Sequence, residues 1–102
     1  MGRKPRPKPN RLAEKLLTIR NALGLSQAEM LRRLGAEDFV SYHRISEYET
    51  EKREPPLMIL LSYARVAGVH LEDIVDDELD LPDKLPGHVR YVGIKHKPAK
   101  KR

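Results

Sequence analysis

The heptapeptide Gly24-Leu25-Ser26-Gln27-Ala28-Glu29-Met30 leaves the chain few choices. Glycine readily adopts the left-handed backbone that ends a helix. Ser26 and Glu29 have the spacing of a capping box, in which hydroxyl and carboxylate each satisfy an orphan amide at a helix start. Leu25 before the cap and Met30 four positions inside it make a hydrophobic staple. One helix therefore stops and another begins within this stretch, joined by a tight turn.

The flanking sequence supplies the partners. Leu12, Leu16, Ile19 and Leu23 recur at helical spacing, so a first helix is predicted with Asn10 as its cap and Gly24 as its stop. The second helix is predicted from Gln27 to Leu34, ended by Gly35. Residues 35–40 read as a connection whose two apolar residues, Phe39 and Val40, tuck inward. Ser41 caps a short third helix reaching Glu49, with Ile45 and Tyr48 facing the core. Pro55 and Pro56 set the start of a fourth helix. Its expected buried stripe is Leu57, Leu60, Leu61, Ala64 and Ala67, and Gly68 closes it. Leu71, Ile74 and Val75 mark a fifth helix, with Glu72 and Asp73 placed against its N-terminal dipole. Residues 88–94 are β-prone and read either as one strand or as a segment without structure. The expectation is an all-α core over residues 10–81, between an arm at 1–9 and a tail at 82–102.

Charge divides the chain in the same places. Residues 1–11 carry five basic residues and no acid, and residues 82–102 carry seven basic residues against one acid. Residues 12–81 hold eight basic and fourteen acidic residues, although the whole chain is at +5. Basic arms track phosphate backbones because each neutralised phosphate releases condensed counterions. Pro5, Pro7 and Pro9 keep the first arm out of a helix. The absence of cysteine removes disulfides and thiolate metal sites and fits a reducing cytoplasm. The longest uncharged run, residues 55–64, is too short to span a bilayer, and no apolar stretch follows the basic start.

Four pieces in order carry a resemblance. They are Ile19-Arg20-Asn21-Ala22-Leu23-Gly24-Leu25-Ser26-Gln27, then Ile45-Ser46-Glu47-Tyr48-Glu49, then Lys52-Arg53-Glu54-Pro55, and finally residues 57–69, ending Ala-Gly-Val. With that order and spacing, residues 16–75 resemble the Cro-type, phage-repressor (XRE-like) helix-turn-helix family. The resemblance implies a five-helix repressor-like bundle with basic tails, double-stranded DNA as partner, and a role as a sequence-specific transcriptional regulator. Two features depart from the family pattern. Ala36, Glu37, Asp38 and Phe39 lengthen the turn between the second and third helices, and Leu31 stands where the family favours a small residue. A leucine there is expected to wedge those helices apart, with the longer turn accommodating it.

The resemblance also implies roles. With Ile45 and Tyr48 inward, Tyr42, His43, Arg44 and Glu47 face outward as base readers. Arg44 suits guanine and Glu47 suits a cytosine amino group. Gln27, Ser41, Lys52 and Arg53 are the expected phosphate contacts. Competing readings stay open at this stage. Tyr42 also suits the edge of the core, His43 an ordinary surface position, and Arg44 a local ion pair with Glu47 or Asp38. Glu47, Glu49, Glu51 and Glu54 would repel phosphates near the proposed DNA face.

No other chemistry stands out. Glu72, Asp73, Asp76, Asp77, Glu78 and Asp80 lack the spacing and glycine of a calcium loop. They read as a solvated face, or as a surface that holds the basic tail when DNA is absent. The four histidines are scattered, and no nucleophile constellation or phosphate-cradling glycine loop is present. The expectation is therefore a protein without catalytic residues, metal or cofactor. Met58, Ile59, Tyr63 and Val66 can form an apolar patch for a two-fold homodimer, or one that Val89, Tyr91 and Ile94 of the same chain cover. Two alternatives to DNA regulation remain: a protein-interaction module, such as an antitoxin with a toxin partner or an adaptor, and RNA binding through the tails.

Overall fold

A computed structural model describes residues 9–86 and contains five helices. They are α1 (Leu12–Leu23), α2 (Gln27–Leu34), α3 (His43–Glu49), α4 (Leu57–Ala67) and α5 (Leu71–Val75), with no strand among the described residues. The greater part of the N-terminal arm, the β-prone segment at 88–94 and the basic C-terminus lie outside those residues.

Local signals set most boundaries. Ser26 Oγ accepts from the Glu29 amide at 3.0 Å while Glu29 Oε1 accepts from the Ser26 amide at 2.8 Å, closing the capping box. Gly24, Gly35 and Gly68 each take positive φ, and their amides donate back to the last turns of α1, α2 and α4. The cap position of α3 is Tyr42 rather than the expected Ser41, although Ser41 Oγ accepts from the His43 amide at 3.2 Å just ahead of the helix.

Asn10 does not cap α1. The cap position is Arg11, and the amides of both Asn10 and Arg11 instead donate to the carboxylate of Asp77. A residue remote in sequence thus supplies the acceptor that Asn10 was expected to provide, and it brings a full negative charge to the positive end of the helix dipole. Arg11 also pairs with Asp80 at 2.9 Å. Asp77 is thus a structural clamp on the start of α1, while Asp80 pairs with Arg11 from a side chain that stays 82% exposed.

The core is one cluster. Leu12, Leu16, Ile19 and Leu23 of α1 meet Met30, Leu31 and Leu34 of α2, Ile45 and Tyr48 of α3, Leu60, Tyr63, Ala64 and Ala67 of α4, and Ile74 of α5. Leu31 is buried in this cluster, and so is Leu85, beyond the last helix. Four expectations fail here. Leu57 is 65% exposed and Leu61 only half-buried, so neither belongs to the buried α4 stripe. Tyr63, expected on an outer patch, is fully buried in their place, while Ile59 and Val66 pack half-buried against the core. Phe39 is 79% exposed rather than tucked inward. The lengthened turn explains this last result: the amides of Phe39 and Val40 both donate to the Ala36 carbonyl. That single coil buries Ala36 and lets only Val40 of the later pair touch the core.

Candidate nucleic-acid interface

The seating of α3 decides which side chains meet solvent. Ile45 and Tyr48 are buried three positions apart, at 0% and 2% exposure. Helical spacing then turns Tyr42, His43, Arg44 and Glu47 toward the outer face. Tyr42 and His43 are exposed and stack on one another, with ring centroids 4.4 Å apart and planes 21° from parallel. His43 Nδ1 also lies 3.4 Å from Ser41 Oγ, so Ser41, Tyr42 and His43 form one group at the start of the helix.

Further along, one carboxylate gathers two cations. Arg44 Nη1 and Arg53 Nε both donate to Glu47 Oε1, at 2.8 and 3.0 Å. Hydrogen bonding from Arg44, then from Arg53, holds the Glu47 carboxyl below the usual range. Arg53 reaches it because the loop after α3 folds back: the amides of Lys52 and Arg53 donate to the Glu47 carbonyl. Glu51 makes that reversal with φ of 67°, a left-handed conformation that side chains other than glycine adopt at some cost in strain. Lys52 lies exposed on this loop. The ion pair left open by the sequence for Arg44 therefore forms, with Glu47 as its partner.

Gln27 sits elsewhere. Its Nε2 lies 3.5 Å from Glu49 Oε1, tying the first residue of α2 to the last of α3. Glu49 in turn is gripped by Arg20 of α1, a residue that sequence reasoning assigned no role. Of the four acids expected to repel DNA, Glu49 is thus turned inward, its side chain only 4% exposed, and Glu47 is neutralised by arginines. Another feature missed from the sequence is Lys15, which is buried and hydrogen-bonded to carbonyls of the segment after α4. A cation within the α1 stripe was the only available signal. Pro9, the first described residue, lines a shallow pocket with Glu51, Arg53, Glu54 and Pro55, so the basic arm begins beside the loop that carries Lys52 and Arg53. Among the described residues no cluster suited to a metal ion occurs, and no helix is long and apolar enough to cross a membrane.

A compact set of short helices, the second and third joined by a turn, with the third seated on the core by one face, defines a DNA-binding helix-turn-helix domain. Residues 16–74 match the helix-turn-helix family HTH_3, and the chain belongs to this Cro/C1-type, XRE-like family. No curated protein and no solved structure matches the chain.

Proposed function

We propose that the protein is a sequence-specific DNA-binding regulator of transcription. In this reading α3 enters the major groove and presents Tyr42, His43, Arg44 and Glu47 to base edges. Gln27, Ser41, Lys52 and Arg53 contact the flanking phosphates. The observation that carries the reading is the seating of α3 through Ile45 and Tyr48, which leaves its polar side in solvent. The arm adds to it: four basic residues lie within residues 1–9, and Pro9 lines a pocket with Arg53. In this reading the basic residues of the arm add further phosphate contacts.

The test is selection of bound fragments from a random duplex pool by the full chain, followed by salt titration of the preferred fragment. Affinity is expected to fall by about 0.9 log units per log unit of salt for each phosphate neutralised. Arg44→Ala should relax preference at one base pair by about 1–3 kcal/mol, whereas Lys52→Ala should weaken all sequences alike. Equal effects of both substitutions on every sequence would leave only non-specific binding.

A second reading, a protein-interaction module such as an antitoxin or adaptor, is favoured by one observation, which also suits a two-fold homodimer on DNA. Leu57 and Met58, adjacent at the start of α4, are each 65% exposed. Cytoplasmic residence belongs with either reading and rests on the absence of cysteine.

A further inference from the structure

Glu47 occupies the place on Arg44 and Arg53 that a phosphate oxygen would take. A guanidinium recognises carboxylate and phosphate through the same planar fork of donors. Each arginine donates one N–H of that fork to the same oxygen, Oε1, at 2.8 and 3.0 Å. The arrangement is built into the backbone: Arg44 lies one turn before Glu47 on α3, and the loop folds back onto the Glu47 carbonyl to bring Arg53 over it. Besides Arg53, the charges nearest in sequence after α3 are Glu51, Lys52 and Glu54.

We infer that Glu47 is a specificity-determining residue that acts by internal competition, keeping Arg44 and Arg53 from gripping phosphates of non-cognate DNA. This inference rests on the DNA-binding reading above. On a random duplex, a phosphate competes for these arginines with a carboxylate that already holds one N–H of each. On the cognate duplex, the guanine contact of Arg44 offsets that loss, and Glu47 is released to the groove. The acid thus lowers affinity everywhere but lowers it most where no base contact compensates, which widens the ratio between cognate and random sequence. The relevant quantity for a regulator among many competing sites is that ratio rather than the affinity alone.

The experiment compares wild type, Glu47→Gln and Glu51→Gln on mixed-sequence duplex DNA and on the selected fragment, across a salt series, with thermal melts to establish equal folding. Glu51→Gln removes the same charge from the adjoining loop and leaves the contacts of Glu47 with the two arginines in place. Glu47→Gln is expected to tighten mixed-sequence binding about fivefold at 0.15 M salt and to steepen its salt slope by about 0.9, the increment for one more neutralised phosphate. Its selectivity for the chosen fragment should fall by a similar factor. The gain should vanish when Arg44 and Arg53 are both replaced by glutamine. Glu47→Gln indistinguishable from wild type, or an equal gain from Glu51→Gln, overturns the inference while leaving DNA binding intact. Failure of the wild type to bind any duplex at low salt overturns the proposed function itself.

Discussion

Arg20 on α1 and Glu49, the last residue of α3, form a two-pronged ion pair, Nε to Oε2 at 2.7 Å and Nη2 to Oε1 at 3.0 Å. The side chains are 16% and 4% exposed, so the pair is largely shielded from water. Arg20 Nη1 also donates to the Leu25 carbonyl at 3.0 Å, which joins the α1–α2 turn to the same point. Hydrogen bonding from Glu49 raises the Arg20 guanidinium above its ordinary range, outweighing the desolvation that opposes it. This contact fixes the C-terminal end of α3 relative to the helix before the turn.

Arg20→Ala leaves the shielded Glu49 carboxylate without its main partner. The expected loss is about 2–4 kcal/mol of unfolding free energy, since breaking one side of a buried pair strands a charge. Removing both partners should cost less than removing Arg20 alone. Urea unfolding of Arg20→Ala, Glu49→Ala and the double variant checks this, and strictly additive losses would refute the coupling.

Lys15 is a second buried cation with a different environment. Its Nζ donates to the carbonyls of Asp73, Asp76 and Leu79, at 2.8, 2.9 and 2.6 Å. One ammonium from α1 thus ties together three backbone oxygens at and beyond the end of α5, of which that of Asp76 also accepts from the Leu79 amide. Lys15→Met preserves the apolar stem but removes all three of these bonds, and is expected to lower stability by about 3 kcal/mol. Amide exchange should rise first in residues 73–80. A variant as stable as wild type, with unchanged exchange there, would show that the ammonium is dispensable.

Tyr63 presents the opposite case: its hydroxyl is buried with no hydrogen-bond partner among the described residues. Desolvation pushes its ionisation well above the ordinary tyrosine value near 10. Tyr63→Phe removes an unsatisfied polar atom without opening a cavity, so stability at pH 7 should hold or rise by about 1 kcal/mol. The sign of the alkaline effect follows from linkage. Above about pH 10 the unfolded chain ionises Tyr63 while the folded chain resists, so the wild type should lose stability there. The phenylalanine variant should lose less, and paired urea titrations at pH 8 and pH 10.5 measure the difference. An identical loss in both proteins would contradict it.

The sequence shows clearly those features whose cause is local. The capping box at Ser26 and Glu29, and the left-handed stops at Gly24 and Gly35, each depend on a few adjacent residues, so they read directly. The α3 faces follow from Ile45 and Tyr48 for the same reason. Less was legible in α4, where residues 57–61 are all apolar and periodicity alone does not choose between Leu57 and Tyr63 as the inward residue. Phe39 lies in a turn, where no periodicity indicates direction. Of the candidate site, the outward placement of Tyr42 and Arg44 was legible, but the convergence of Arg44 and Arg53 on Glu47 depended on how the loop folds back. Lys15 and Asp77 depend on partners about 60 residues away in sequence, and such pairings leave no mark on either local pattern.

Asp77 gives these long-range clamps a pH signature. Its carboxylate accepts from the Asn10 amide, with the shorter distance 2.8 Å, and from the Arg11 amide at 3.0 Å. These backbone bonds hold the Asp77 carboxyl below its ordinary range, as those from Ser26 do for Glu29. A depressed folded-state value means that the stabilisation is complete above the unfolded carboxyl value near 4 and disappears as pH falls through the folded value. Asp77→Asn should therefore be less stable than wild type at pH 7, and the gap should close on acidification below about pH 4. Exchange of the Asn10 and Arg11 amides should accelerate in the variant at neutral pH and match wild type in acid. Urea midpoints measured from pH 7 down to pH 2 decide the matter: a gap that stays constant through that range would mean that Asp77 holds the start of α1 by shape rather than by charge.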